Sequence, residues 1–476
     1  MVEIPFIHLM KTPYGFYFYD VNTNQLLRTE QDVYDALDKL MHGNNSDISI
    51  ETCKKISLMK SKGLLSAHHP KKIIHASDID LEEKMNHYMR MITLQVTQQC
   101  NFRCSYCIYS EEKNKGQRSH SNKTMSWETA KKSIDFLFAH SDKMKEISIG
   151  FYGGEPLLEF GLIKKCVAYA KEKGVGKDIL FSMTTNGSLI TNDIAEFIAK
   201  ENFNLIISLD GPKELHDKSR ILACNGKGSF EIIDCNLKKV KEKFPDYYKE
   251  IAFSIVISPD KDFQCVNEMF LNYDLVKGQR SLTSFVDSYD DNSVVYDDFV
   301  LVPYNKEKFK SLLHICGMES KEISEISKRT LDDIHKINER LKKSRLSEEI
   351  APGGPCIPGV TRFFVSYNGK FYPCERVSET SNIMNIGNID SGFDYNKARK
   401  LLNVAQCTED NCKKCWAMIF CTLCARQCDG GDDFDPEKRL KHCDSVRYNT
   451  EQKMKTYLAL NEVKTNYGSY LNKYNV

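Results

Sequence analysis

The chain has almost no net charge, with 66 basic residues against 65 acidic ones in 476. That balance excludes a general binder of nucleic acid or of a membrane surface, which needs an excess of cations. No run approaches the roughly 18–20 apolar residues of a membrane span. The opening stretch Met1-Val-Glu-Ile-Pro5 lacks a charged region followed by an apolar core. No secretory signal is legible there, and the expectation is a cytosolic protein. The length allows two or three domains.

Cysteine is what the chain has in excess: eighteen residues. Disulfides do not persist in the cytosol, so clustered cysteines there point to metal or redox chemistry. Cys53, Cys166, Cys224, Cys235, Cys265 and Cys316 are scattered singly and are expected as small buried hydrophobes. Cys100, Cys104 and Cys107 form C-x3-C-x2-C directly after the apolar run Met91–Thr97. Three soft thiolates can hold three irons of a cubane cluster and leave the fourth iron open for a substrate. Three reduced thiols in a loop, or three of four zinc ligands, fit the triplet alone as well.

Residues 1–80 read as a first unit. Phe6–Met10 and Tyr14–Tyr19 are rich in aromatic and β-favouring residues, and a short third strand, Gln25–Arg28, follows a turn. Gln31–Met41 carries Val33, Leu37, Leu40 and Met41 at helical spacing. Glu51–Leu65 predicts a second helix with Ile56, Met59 and Leu64 inward. Three strands followed by helices suggest a small winged-helix-like module. An edge strand in such a module can take up an extended peptide by strand addition.

Residues 88–275 alternate strands and helices. The predicted strands are Ile92–Thr97, Glu146–Tyr152, Asp178–Thr185, Asn204–Leu209 and Ile251–Ile257. The helices are Trp127–Ala139 (capped by Ser126), Leu157–Lys173, Asp193–Lys200 and Phe230–Lys243. Repeated βα units with near-continuous apolar strands imply an α/β fold whose parallel sheet curls into a full or partial barrel. Chemistry in such folds sits at the C-terminal strand ends, where the triplet falls. Later strands end in suggestive turns. In Tyr152-Gly-Gly-Glu-Pro156, Gly153 and Gly154 let a backbone approach a ligand closely, and Glu155 offers a carboxylate to an ammonium group. Thr184-Thr-Asn-Gly-Ser188 offers amides and hydroxyls to a carboxylate or ribose. Ser208-Leu-Asp-Gly-Pro212 is followed by His216, Asp217 and Arg220. Each alone is an ordinary turn signature; their register behind the triplet is the signal.

Residues 276–350 connect. Ser281–Val286 is a last strand, Asp287–Asp298 an acidic loop. Lys321–Leu346 is a charged helical stretch with Ile323, Ile326, Leu331, Ile334, Ile337 and Leu341 inward and a solvated opposite face. Residues 351–445 hold the second concentration of cysteine. Cys356 ends Pro352-Gly-Gly-Pro-Cys, Asn368-Gly369 marks a hairpin between Thr361–Tyr367 and Lys370–Tyr372, and Cys374 follows. Cys407 stands alone. Then come Cys412-x2-Cys415-x5-Cys421-x2-Cys424-x3-Cys428, and Cys443 closes. Two zinc sites also fit these counts. Residues 446–476 read as a C-terminal helix and tail.

The triplet and the turns behind it resemble the radical S-adenosylmethionine (SAM) domain. The order of residues 1–80 resembles the precursor-peptide recognition element of peptide-modifying enzymes. Residues 351–445 resemble the auxiliary-cluster SPASM domain attached to such enzymes. These resemblances imply a partial (β/α)6 barrel between a winged-helix-like module and a small α+β iron-sulfur domain. They imply SAM on the free iron of a [4Fe-4S] cluster held by Cys100, Cys104 and Cys107. Gly153, Gly154 and Glu155 would meet the amino group of SAM and Tyr106 its adenine. Asn186, Ser208, Asp210 and Arg220 would meet its ribose and carboxylate. By the family's interleaved arrangement, Cys412, Cys415, Cys421 and Cys443 would hold a distal auxiliary [4Fe-4S] cluster. Cys356, Cys374 and one or both of Cys424 and Cys428 would hold a proximal one. The family pattern has C-x3-C after the x5 gap where this chain has C-x2-C-x3-C, which leaves Cys424 and Cys428 both open for that role. Cys407 falls outside the ligand pattern. Glu375 stands where related sulfatase-maturing enzymes carry an acidic candidate base.

That hardware implies reductive cleavage of SAM to a 5′-deoxyadenosyl radical and oxidation of a peptide, with auxiliary clusters as electron acceptors. The expected activity is maturation of a ribosomally made precursor peptide, with a thioether from a cysteine sulfur to carbon as the product. The partners are the precursor, bound by its leader, and an electron donor such as flavodoxin or ferredoxin; no nucleic acid or membrane is expected. The alternatives are a carbon–carbon crosslink, formylglycine formation, or a non-catalytic iron-sulfur or zinc protein.

Overall fold

The computed structural model describes residues 3–44, 47–109, 120–286, 295–318, 322–342 and 345–463. Most of the acidic loop expected over 287–298, the end of the expected tail and the side chain of Leu331 lie outside the described residues. Among the described residues no helix is long and apolar enough to cross a membrane.

Strands β1 (Ile7–Thr12), β2 (Gly15–Asp20) and β3 (Gln25–Thr29) form an antiparallel sheet in that order. Successive side chains of a strand point to opposite faces, and both faces of this sheet are covered. Phe18 packs with Val33, Leu37 and Ile56 of the helices Gln31–Met41 and Ile50–Ser61. Tyr17 and Tyr19 face the other way, onto Ile337, Met454 and Leu458. Those residues belong to the helices Glu325–Leu341 and Cys443–Glu462 at the far end of the chain. The Asp20 carboxylate closes the module. It accepts from the backbone of Thr23 at 2.9 Å and of Leu65 at 2.7 Å. Gly63 and Leu65 take positive φ there, so the second helix stops at Ser61 rather than at Leu65. These strands and helices are thus built into the rest of the protein.

After the short β4 (Lys72–Ile73) come six parallel strands: β5 (Met91–Thr97), β6 (Glu146–Gly153), β7 (Asp178–Thr185), β8 (Asn204–Ser208), β9 (Ala252–Ile257) and β10 (Ser281–Phe285). They pair in chain order, each with its neighbour. Most apolar residues of β5–β9 are buried, as a sheet flanked by helices requires, whereas Leu180 of β7 and Leu282 of β10 are exposed. The helix expected over Leu157–Lys173 begins as a 3-10 turn, Pro156–Glu159, because Pro156 opens it and Glu155 caps it. The α-helix proper is Phe160–Lys173. The helix Asp298–Ile315 has no counterpart in the sequence reading. Pro303 lies inside it, and its apolar residues do not form one stripe.

The second cysteine-rich region does not sit apart from this sheet. β11 (Glu349–Ile350) pairs with β4. β12 (Phe364–Val365) joins the sheet parallel to β5, and β13 (Phe371–Tyr372) returns antiparallel to it across the turn at Gly369. Phe136, Phe363, Phe371 and Phe393 clasp this hairpin to the helix Trp127–Ala139.

Of the six single cysteines expected in the core, Cys166 is buried, Cys53, Cys224, Cys235 and Cys265 are exposed, and Cys316 is half-buried. Cys53, Cys235 and Cys265 fall on the outer faces of amphipathic helices, and the helical stripe outweighs the apolar character of a thiol. Phe371 is fully buried where the hairpin meets the barrel. Phe371→Ala should destabilise the protein by about 3–5 kcal/mol, read as a lower midpoint in urea unfolding.

Candidate active site

The loop after β5 is held by a second loop. Arg103 N–H donates to Ile221 O at 2.9 Å, Ser105 N–H to Ser219 O at 3.0 Å, and Ala223 N–H to Asn101 O at 2.9 Å. These bonds bring Cys100, Cys104 and Cys107 near one another at the C-terminal end of the sheet. Burial raises the Cys100 thiol to about 12 and the Cys104 thiol to about 11, and the neighbouring cysteines add to each shift. Backbone N–H groups point at two of the sulfurs, Phe102 N–H at Cys100 Sγ and Tyr109 N–H at Cys107 Sγ, each at 3.4 Å. Half-buried thiols that need a cation to ionise, already furnished with N–H donors, fit an iron-sulfur cluster. Among the described residues no three Cys, His, Asp or Glu side chains converge on the position of a single metal ion.

The turn after β6 is forced by the chain's own backbone. Gly154 N–H donates to Thr97 O and Glu155 N–H to Gln99 O, at 3.0 and 2.9 Å. A Cβ on Gly153 would lie 2.0 Å from Thr97 O, and one on Gly154 2.2 Å from Gln99 O. The close approach that the glycines permit is therefore to the cysteine loop itself. Glu155 is fully buried. Its carboxylate accepts from Leu157 N–H at 3.0 Å, Thr185 Oγ1 at 2.7 Å and Asn186 N–H at 2.7 Å. Burial raises its pKa, opposed by those three bonds. Asn186 also donates to Asn101 Oδ1 at 2.8 Å and accepts from Ser188 Oγ at 2.7 Å. Ser208 is half-buried at the end of β8.

A second network lies behind the cysteine loop. Asp210 is fully enclosed. It receives Lys261 Nζ at 2.8 Å, the Tyr106 hydroxyl, and Val256 N–H at 3.0 Å, and Arg220 lies 3.9 Å away. Burial opposes its ionisation, but Arg220 and Lys261 outweigh that and hold the carboxyl below its usual range. Arg220 Nη1 donates to the Tyr106 hydroxyl at 2.6 Å, while its buried Nε has no partner. An unpaired guanidinium donor beside the triplet fits a carboxylate ligand. Sequence reasoning missed Lys261, because nothing in Ser258–Asp262 marks a buried cation. It also assigned no role to His216, which bonds the Asp210 N–H through Nδ1 at 3.3 Å and Ser229 Oγ through Nε2 at 3.0 Å.

Gln95 and Glu379 were likewise missed. Gln95 is fully buried within β5 and donates to Glu379 Oε1 at 2.6 Å; Gln98 donates to Glu379 Oε2 at 3.1 Å. A glutamine inside an otherwise apolar strand was the available signal. Glu375 is placed differently, against Arg362 at 2.8 Å and Arg376 at 3.8 Å, with about a fifth of its side chain exposed.

The downstream cysteines fall into three sets. Cys412, Cys415, Cys421 and Cys443 line one cavity of about 570 Å³. Cys424 lies within electrostatic reach of Cys356 and Cys374. Cys428 is buried and hydrogen-bonded to Cys407, which holds the Cys407 thiol below its usual range. Cys407 therefore has a specific neighbour that its isolation in the sequence concealed.

An α/β protein whose parallel strands end in three clustered thiols and a glycine-rich turn is the class to which the comparisons point. Residues 94–271 match the radical SAM superfamily. The uncharacterized protein MJ0907 of Methanocaldococcus jannaschii is 32% identical over 245 residues, 51% of this chain and 77% of the relative. A cysteine-type anaerobic sulfatase-maturating enzyme of Clostridium perfringens is 26% identical over 364 residues, 73% of this chain and 91% of the relative. The structure of anSMEcpe with bound AdoMet and the Cp18Cys peptide has a similar fold. Its TM-score is 0.56 at 20% identity, covering 79% of this chain and 99% of that one. The chain belongs to the radical SAM superfamily and is a radical SAM enzyme related to anaerobic sulfatase maturases.

Two predictions follow from this geometry. Gly154→Ala should abolish SAM binding in anaerobic equilibrium dialysis, because its methyl group would displace the cysteine loop. Gly161→Ala, with open space around it, should leave binding unchanged. Burial, then the Arg220 charge, depresses His216 from 6.5 to about 3. The unfolded chain therefore binds a proton that the folded chain refuses, and stability falls as the pH drops below 6.5 toward 3. His216→Gln should remove roughly 1.4 kcal/mol per pH unit from the slope of unfolding free energy over that window.

Proposed function

We propose that the chain is a maturase that oxidatively modifies a ribosomally made precursor peptide, installing a thioether between a cysteine sulfur and a carbon. The observation that carries this reading is the placement of the hairpin. β13 leads directly to Cys374, and β12 bonds to β5, the strand that leads to Cys100. One continuous sheet thus connects the SAM-cleaving thiols with a second set of thiols.

In this reading Cys100, Cys104 and Cys107 hold the first [4Fe-4S] cluster, Cys356, Cys374 and Cys424 the proximal one, and Cys412, Cys415, Cys421 and Cys443 the distal one. The first cluster supplies, with bound SAM, one electron and a 5′-deoxyadenosyl radical. The chain's own residues bind and orient. Arg220 would present Nε to the SAM carboxylate, and Tyr106, its hydroxyl held between Asp210 and Arg220, would meet the adenine. Gly153, Gly154, Glu155 and Asn186 shape the amino-group end, and Ser208 meets the ribose. Glu375 takes a proton from the substrate side chain. Arg362 pairs with it at 2.8 Å and orients it. Cys428 belongs with Cys407 rather than to the proximal set in this reading.

The peptide reading has two further supports. β3 is an outer strand with β2 as its one partner among the described residues. Beside it runs a cavity of about 560 Å³ lined by Arg28, Lys55, Lys62, Met59 and Leu64. A leader adding to β3 would lie along it. The similar anSMEcpe fold carries a bound peptide. An electron donor such as flavodoxin or ferredoxin would reduce the first cluster, in a cytosolic setting. Formylglycine formation is the second reading, favoured by the sulfatase-maturating relative.

The test is anaerobic incubation of the reconstituted enzyme with SAM, dithionite and a cysteine-rich precursor peptide, chosen from any short reading frame that neighbours the gene. The expected outcome is 5′-deoxyadenosine and a peptide lighter by two hydrogens per bond, with the cysteine no longer alkylatable. Glu375→Gln should retain SAM cleavage and lose at least tenfold in peptide product. A sulfatase peptide converted to formylglycine instead would decide for the second reading.

A further inference from the structure

The cavity shared by Cys412, Cys415, Cys421 and Cys443 contains a charge that the protein does not neutralise. Arg439 lies on the short helix Pro436–Lys441, whose N-terminus is capped by the Asp435 carboxylate. Its side chain enters the cavity wall and is 1% exposed. Neither Nη1 nor Nη2 has a hydrogen-bond partner. Buried guanidinium groups are rarely left this way, because an unpaired buried charge is costly. Its electrostatic neighbours include sulfurs: Cys421 and Cys443 of this cavity, and Cys407, Cys424 and Cys428, which do not line it. Four thiolates around a [4Fe-4S] core carry net negative charge, and their sulfurs accept N–H donors. Such a group supplies both what the guanidinium lacks and what the thiols lack.

We propose that Arg439 donates to the sulfurs of the distal cluster through Nη1 and Nη2 and sets its reduction potential. A cation held against the cluster stabilises the reduced form, which has one more negative charge, above the oxidised form. The distal cluster then accepts an electron more readily than the same cluster without that cation. This gives the electron lost by the substrate radical a downhill exit from the barrel. The inference rests on the reading that these four cysteines hold a cluster.

The test is an EPR-monitored redox titration of the anaerobically reconstituted full-length enzyme, with iron and sulfide quantified. The Cys412→Ala/Cys415→Ala double variant identifies the distal signal as the one it loses. If that variant keeps the iron and the signals of the wild type, the cluster reading fails, and with it the basis of this inference. With the signal assigned, Arg439→Met should lower its midpoint. The ratio of reduced to oxidised cluster at fixed potential should fall at least tenfold, about 59 mV for one electron. Arg439→Lys, which keeps the charge, should restore part of the shift, and the SAM-dependent signal should not move. Loss of the distal signal in Arg439→Met with retention in Arg439→Lys would equally support the charge. An unmoved midpoint in Arg439→Met at full iron content overturns the proposal. Loss of the cluster in both variants also overturns it, because the role of Arg439 would then be packing rather than charge.

Discussion

The Asp210 carboxylate is the interaction on which the site depends. It is fully enclosed, yet it gathers groups from three separate places: Lys261 after β9, Arg220 after the helix Lys213–Ser219, and Tyr106 within the cysteine loop. A buried anion can persist only if cations and donors surround it. Once they do, none of them can move alone. The position of Tyr106 fixes the middle of the triplet, and Arg220 fixes the loop 219–223 to which the triplet is laced. Glu155 performs the corresponding task on the other side, joining the ends of β6 and β7. One buried carboxylate thus ties down the thiol-bearing loop, and a second joins the strand ends beside it.

Much of this architecture was legible beforehand. The strand Asp178–Thr185 and the helices Trp127–Ala139 and Phe230–Lys243 appear with the boundaries that their apolar spacing predicts. Their burial is periodic, so the pattern carries the signal. The helix Asp298–Ile315 was illegible because its interior proline and scattered apolar residues break that pattern. The site divides in the same manner. Thiols at fixed spacing announce themselves. Lys261 does not, because its importance comes from a partner 51 residues away. The two glycines were legible as special, but their reason was not: the crowding comes from Thr97 at the end of β5 and Gln99 in the loop after it.

The extra thiol in the C-x2-C-x3-C run shows how geometry separates residues that spacing leaves equivalent. Cys424 and Cys428 are one helical turn apart in sequence, but they face different company. Cys424 looks toward Cys356 and Cys374. Cys428 is turned inward, where its thiol meets Cys407 and Ala425 O, the latter at 3.3 Å. The intervening 3-10 turn Ala425–Cys428, closed by the Gln427 side chain on the Cys424 N–H at 2.9 Å, sends the two sulfurs apart.

The three-stranded sheet at the start of the chain is held between its own helices and those at the end. Its His8 ring stacks on Trp416 at 3.6 Å and bonds Glu451 at 3.1 Å, and Tyr17 donates to Glu462 at 2.6 Å. Trp416 is the residue after Cys415. The first eighty residues are consequently not a detachable cassette. Grafting a foreign first eighty residues onto this barrel would strip the cover from Met454 and Leu458 and leave Trp416 without its stacking partner. A replacement for these residues would have to be inherited, or engineered, together with the matching last helix.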